Sequence, residues 1–167
     1  EIAQAINRTL AGRIGPIVPL IAETGGQNAL IVDSSALPEQ VVSDMIASAF
    51  HSAGQRCSAL RVAFVQSDVA DKIVRMLTGA MEELKIGDPA LLATDIGPVI
   101  DAEAQAMLEE HAERMEHEGK LLHRVRLPDD ARFGTFFPPT AFEIDRLDRL
   151  TREEFGPILP VVRYPQD

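Results

Sequence analysis

The chain has 167 residues, 46% of them apolar and 25% charged, which suits one soluble globular domain with a real core. A net charge of −10 works against nucleic acid and anionic membrane, so neither is expected to bind this segment. The lone cysteine permits no internal disulfide, and no apolar run approaches the ~20 residues that span a bilayer, so a reducing, cytoplasmic setting is expected. The opening "EIAQAINRTLAGRIG" has no signal-peptide pattern and starts at Glu rather than Met, as expected of a piece cut from a longer chain.

Residues 2–12 read as the end of a helix with Ile2, Ala3, Ile6 and Leu10 on one face and Gly12 as its stop. "PIVPLIAE" (16–23) reads as a buried strand entry, and "ALIVD" (29–33) as a strand covered on both faces. A helix is predicted near 38–52, opened by Pro38 and carrying the apolar stripe Val41, Val42, Met45, Ile46, Ala49 and Phe50; Gly54 ends it. "RVAFV" (61–65) is the next strand. A helix over 68–84 follows, burying Val69, Ile73, Leu77, Ala80 and Leu84 before Gly87-Asp88-Pro89 breaks it. A helix over 101–118 has Asp101 as cap, Gly119 just past its end, and Ala104, Met107, Leu108, His111 and Met115 facing inward. Then come a short strand near 120–125, a Pro-rich strand edge within 133–144 and a buried strand over 156–164. Strands alternating with helices define an α/β class: a largely parallel sheet flanked by helices.

Three stretches carry chemistry. Cys57 lies in a turn between a predicted helix and strand, with Arg56 and Arg61 nearby. Positive charge favours the reactive thiolate, yet a free cysteine is also a common buried hydrophobe. Glu23 ends an apolar run and precedes "TGGQN", where paired glycines permit close backbone approach; a turn or helix-dipole partner is the plainer role. "REEFGPI" (152–158) sets Phe155 beside two carboxylates in a fixed turn, or simply closes a loop with Phe155 in the core. His51, His111, His117 and His123 have no metal-ligand spacing, and His51 lacks an acid to orient it toward Cys57, so no metal site is expected.

Taken in order, "ETGGQNALIV", "SAGQRCSALRV" and "EEFGPILPV" resemble the Glu-(Leu/Thr)-Gly-Gly, Gly-Gln-x-Cys and Glu-x-Phe-Gly-Pro segments of the aldehyde dehydrogenase superfamily. The interval from Glu23 to Cys57 (57 − 23 = 34) fits that family, and the connecting stretches 84–101 and 136–145 are similar to it as well. Within the superfamily the chain is most similar to the L-glutamate γ-semialdehyde (1-pyrroline-5-carboxylate) dehydrogenase half of the bifunctional proline utilization A family.

The resemblance implies an NAD-dependent oxidation of a small-molecule aldehyde to glutamate. Cys57 would be the nucleophile, Glu23 the general base, and the Cys57 N–H part of an oxyanion hole. Glu153 would bind the nicotinamide ribose, Phe155 would lie near the nicotinamide, and Gly25 would line the cofactor. Arg56 and Ser58 would hold the substrate carboxylate. Arg56 could instead be a surface arginine or pair with Glu23 or Asp44, and Arg61 is expected to be structural. Residues 1–23 would be the tail of an upstream NAD-binding domain and 24–167 a catalytic domain incomplete at its C-terminus. FAD would belong only to a proline dehydrogenase domain elsewhere in a homo-oligomeric parent. This segment alone is expected to lack useful NAD-linked activity. The alternatives are an aldehyde dehydrogenase for another aldehyde, or a catalytically silent assembly domain.

Overall fold

Short apolar runs alternating with amphipathic stretches assemble into one five-stranded sheet in a computed structural model that describes residues 2–166. In chain order the elements are α1 (Ile2–Ala11), β1 (Ala29–Val32), α2 (Pro38–Phe50), β2 (Val62–Gln66), α3 (Ser67–Glu82), α4 (Ala102–Glu118), β3 (Lys120–Arg124), β4 (Thr140–Ile144) and β5 (Ile158–Tyr164). The strand order is β1-β2-β5-β4-β3, parallel throughout except for β3 against β4.

Helices α2 and α3 pack on each other and over β2 and β5, while α4 lies on β3 and β4. Met45, Phe50, Ile73, Leu77, Leu108, Phe142 and Leu159 are almost fully buried between these layers. Pro38 begins α2, where its missing N–H costs nothing. Asp101 caps α4 by accepting from the Ala104 N–H at 2.8 Å. Pro160 is tolerated in central β5 because β2 pairs only from Val161 onward.

Several expectations need correction. "PIVPLIAE" forms no strand: residues 17–28 carry no regular structure, and Ile17 and Ile21 are exposed. Pro16 and Pro19 each remove a ladder donor. β1 is covered on one face only: Val32 is buried and Leu30 half-buried, while Ile31 remains 74% exposed. The strand following Pro138 and Pro139 is interior; the prolines stop just short of it, so β4 keeps its donors for β5 and β3. Met107 faces outward, 39% exposed. Gly119 has extended backbone, and its need for glycine is steric: a Cβ there would stand 2.7 Å from the Glu143 carbonyl oxygen.

Candidate active site

Parallel neighbours start at the same edge of a sheet. The segments that lead into β1, β2 and β5 are residues 24–28, 51–61 and 152–157, so the topology gathers all three sequence motifs at one edge. This is the edge at the strands' amino ends. At the carboxyl edge, where α/β sheets commonly bind ligands, the polar groups are tied to one another. There the Tyr164 hydroxyl donates to the Val32 carbonyl at 3.0 Å, and the Ser34 N–H donates to the Gln66 side chain at 2.8 Å.

The cysteine turn is shaped by backbone constraint and by two side chains. After α2 the chain enters a tight turn in which Ser52, Ala53 and Gly54 all have positive φ (57°, 50° and 64°). A non-glycine residue in this region costs about 1–2 kcal/mol, so surrounding contacts must hold the turn. Gly54 sits directly against the backbone of Gly156, and a Cβ at Gly54 would collide with the Gly156 carbonyl. Asn28 donates from its side-chain amide to the Cys57 carbonyl at 2.7 Å and the Ala59 carbonyl at 3.0 Å. Its own carbonyl accepts from the N–H groups of Arg61 and Val62. Cys57 itself is exposed, and among the described residues its N–H has no protein acceptor.

The third motif leans on the other two. The Glu153 carboxylate fills the space beside Gly25, where any Cβ would collide with it. Gln27 donates to the Arg152 carbonyl at 2.6 Å. Arg61 is buried and spans both motifs: it donates to the Arg56 carbonyl at 3.1 Å and the Gly156 carbonyl at 3.4 Å, lies 3.5 Å from Glu153 Oε1, and sits over the Phe155 ring at 4.9 Å. Burial pulls its pKa below the ordinary arginine value, and Glu153 opposes that. Phe155 is 43% exposed, so the expected alternative of a core phenylalanine fails. Beside it an open cleft of about 440 Å³ is lined by Gln55, Ile100, Met107, Leu108, Glu153 and Phe155. Gln55 ties the cysteine turn to this cleft by accepting from the Ile100 N–H at 2.8 Å.

The remaining expected site residues stand further apart. Glu23 is exposed on the extended segment, in a groove shared with Ile2, Ile6 and Ile21 of α1 and its continuation. Among the described residues no hydrogen bond joins it to Cys57. Arg56 is exposed and donates to the Ala47 carbonyl at 3.3 Å; it pairs with neither Glu23 nor Asp44. Ser58 is exposed next to the thiol. No group of three or more His, Cys, Asp or Glu among the described residues could hold a metal ion. Sequence reasoning missed Asn28 and Gln27, whose signal was only an amide pair between two glycines and a strand.

Beneath the third motif lies buried His111. Its Nδ1 accepts from Arg114 Nη2 at 3.1 Å and lies 4.0 Å from Glu154 Oε1. The first contact requires neutral imidazole and the second favours imidazolium. The shorter contact and the burial-driven fall in pKa both select the neutral form. The unfolded chain therefore takes up a proton near the ordinary value of 6.5, before the folded chain does. Stability rises with pH across that window and falls as the medium is acidified through it. Urea midpoints measured between about pH 7.5 and about pH 5.5 should drop for the native chain and drop less for His111→Gln, which keeps an acceptor for Arg114.

The chain belongs to the aldehyde dehydrogenase family, whose sequence model matches residues 1–167. It is 54% identical to the bifunctional protein PutA of Klebsiella aerogenes over 172 aligned positions, covering 98% of this chain and 13% of that protein. The 1-pyrroline-5-carboxylate dehydrogenase of Geobacillus kaustophilus is 39% identical over 142 positions, covering 84% of this chain and 27% of that enzyme. A crystal structure of a bifunctional proline utilization A protein superposes with a TM-score of 0.90 at 56% identity, covering 99% of this chain and 16% of the other. The chain thus spans a small part of the relatives it matches. No helix among the described residues is long and apolar enough to cross a membrane.

Proposed function

We propose that this chain is the nucleophile-bearing segment of an NAD-dependent dehydrogenase that oxidises L-glutamate γ-semialdehyde to glutamate in proline catabolism. The observation that carries this reading is the convergence of the three motifs at one sheet edge, around an exposed Cys57 on a turn clamped by Asn28 and Arg61. Relatives named for bifunctional PutA and for 1-pyrroline-5-carboxylate dehydrogenase support the substrate class. In this reading residues 24–167 form the catalytic domain, residues 1–23 lead in from an NAD-binding domain, and the parent is a homo-oligomer with a separate FAD-dependent proline dehydrogenase domain.

The Cys57 thiolate attacks the aldehyde carbon, forming a C–S bond and an alkoxide that the Cys57 N–H stabilises. NAD held by Glu153 and Phe155 would supply the hydride acceptor, and loss of hydride from the adduct would leave a thioester on Cys57. Glu23 takes a proton from water as that water attacks the thioester; the C–S bond breaks, releasing glutamate and the thiolate. Glu23 is exposed, which leaves its carboxylate open to water. Glu153 and Phe155 suit a ribose and a nicotinamide: the carboxylate keeps free acceptor positions because its arginine contact is long, and the adjacent ring is open on one side. Gly25 lets that carboxylate approach the backbone.

Arg56 and Ser58 flank the thiol and grip the substrate's carboxylate. In the parent chain, Arg56→Met should lower kcat/KM for glutamate semialdehyde about 10²-fold, while an uncharged aldehyde of similar length changes no more than about threefold. Equal losses for both aldehydes would remove the substrate assignment. Absence of any NAD-linked oxidation by the unsubstituted parent would remove the whole reading.

A further inference from the structure

We propose that Arg61 is a positioning residue for cofactor binding, holding Glu153 and Phe155 in fixed relation to the cysteine turn. The proposal rests on the cofactor roles given above to Glu153 and Phe155. A guanidinium that is only 3% exposed has lost its hydration, and the site must replace it with partners of its own. Here the replacements come from two loops far apart in sequence. One is the Arg56 carbonyl, immediately before the nucleophile. The others are the Gly156 carbonyl, the Glu153 carboxylate and the face of Phe155.

The distances separate positioning from simple stabilisation. An arginine–carboxylate pair built for strength closes to about 2.7–2.9 Å and is often bidentate. Arg61 approaches Glu153 through Nε alone, at 3.5 Å, while its firmest bond, 3.1 Å, goes to the Arg56 carbonyl. Glu153 is thus oriented without being consumed, and the space beside Gly25 limits where it can swing. The planar, forked guanidinium serves both loops at once. A lysine ammonium carries the same charge as a compact point and cannot address all these partners in their separate directions.

The test uses the parent chain carrying Arg61→Met, Arg61→Lys, Glu153→Gln and the Arg61→Met/Glu153→Gln pair, with calorimetric NAD affinity, KM for both substrates and melting temperature as readouts. Arg61→Met should weaken NAD binding about tenfold and leave the aldehyde KM within about threefold. Arg61→Lys should recover only a minor part of that loss. Because Arg61 acts through Glu153, adding Arg61→Met to Glu153→Gln should weaken NAD binding by less than it does alone. Unchanged NAD affinity in Arg61→Met despite a lowered melting temperature would overturn the proposal, as would losses that multiply fully in the pair. Should Arg61→Met fail to fold, Arg61→Lys decides: weakened NAD binding with native-like melting supports the proposal, and native NAD affinity overturns it. If Glu153→Gln alone leaves NAD affinity untouched, the cofactor role of Glu153 falls, and this proposal with it. If Glu153→Gln weakens binding and Arg61→Met does not, only the role of Arg61 falls.

Discussion

Replacing Cys57 with alanine in the parent chain should reduce NAD-linked aldehyde oxidation by at least about 10⁴-fold, while stability stays within about 0.5 kcal/mol. The activity loss follows from the nucleophile role proposed for Cys57, and the unchanged stability from its exposure, since removing an exposed side chain leaves no cavity. A buried structural cysteine would show the reverse, with activity retained and stability lost. Glu23→Gln should divide the reaction at the thioester. NADH appears in a rapid burst of about one equivalent per site and then slows, and the acyl group can be found on the Cys57 peptide by mass spectrometry. Turnover by the alanine variant, or an acyl group on another residue, removes Cys57 from the mechanism.

Gly54→Ala should destabilise the domain by about 2–5 kcal/mol, combining the strain of a left-handed alanine with overpacking against fixed backbone. Its φ of 64° penalises any Cβ, and the Cβ would point into the Gly156 carbonyl and within 2.9 Å of the Ala49 carbonyl oxygen. Neither neighbour is a flexible side chain that could swing away. Gly79→Ala provides the contrast. A Cβ at that helical position meets no heavy atom within 4 Å, so the exchange should stabilise α3 by about 0.5–1 kcal/mol. Urea denaturation of both variants measures the difference. A loss below about 1 kcal/mol for Gly54→Ala would mean that the turn relaxes and the two loops are not in fixed contact.

Much of the fold was legible because amphipathic spacing reports a local fact. The apolar stripe of α2, the Asp101 cap of α4 and the buried run of β5 each depend on neighbours within a few residues. The errors arose elsewhere. "PIVPLIAE" is apolar enough for a strand, but Pro16 and Pro19 each lack the N–H that a ladder needs. Ile31 looks like core in the sequence, but it lies on the face of β1 that is exposed. The site divides in the same way. Cys57, Glu153 and Phe155 stood out through their motifs, whereas Asn28 and Arg61 work through carbonyls and carry no local pattern. From the sequence Arg61 is expected to be structural. Its partners 92 and 95 residues away could be seen only once β2 and β5 were known to be adjacent.

The strand order also sets a schedule for assembling the site. Pairing β1 with β2 closes a connection of 62 − 32 = 30 residues, whereas pairing β2 with β5 closes one of 158 − 66 = 92. The longer closure costs only about 1 kcal/mol more in chain entropy, but it must wait for β5 to be synthesised. The clamp of Asn28 on the cysteine turn needs only the first closure. Glu153, Phe155 and the acceptors that Arg61 requires arrive with the second. On a ribosome, then, the thiol is shaped early and its companions come late. Until β5 docks, the Arg61 guanidinium stands without its long-range partners, so β5 joins the early half of this sheet edge to the late one.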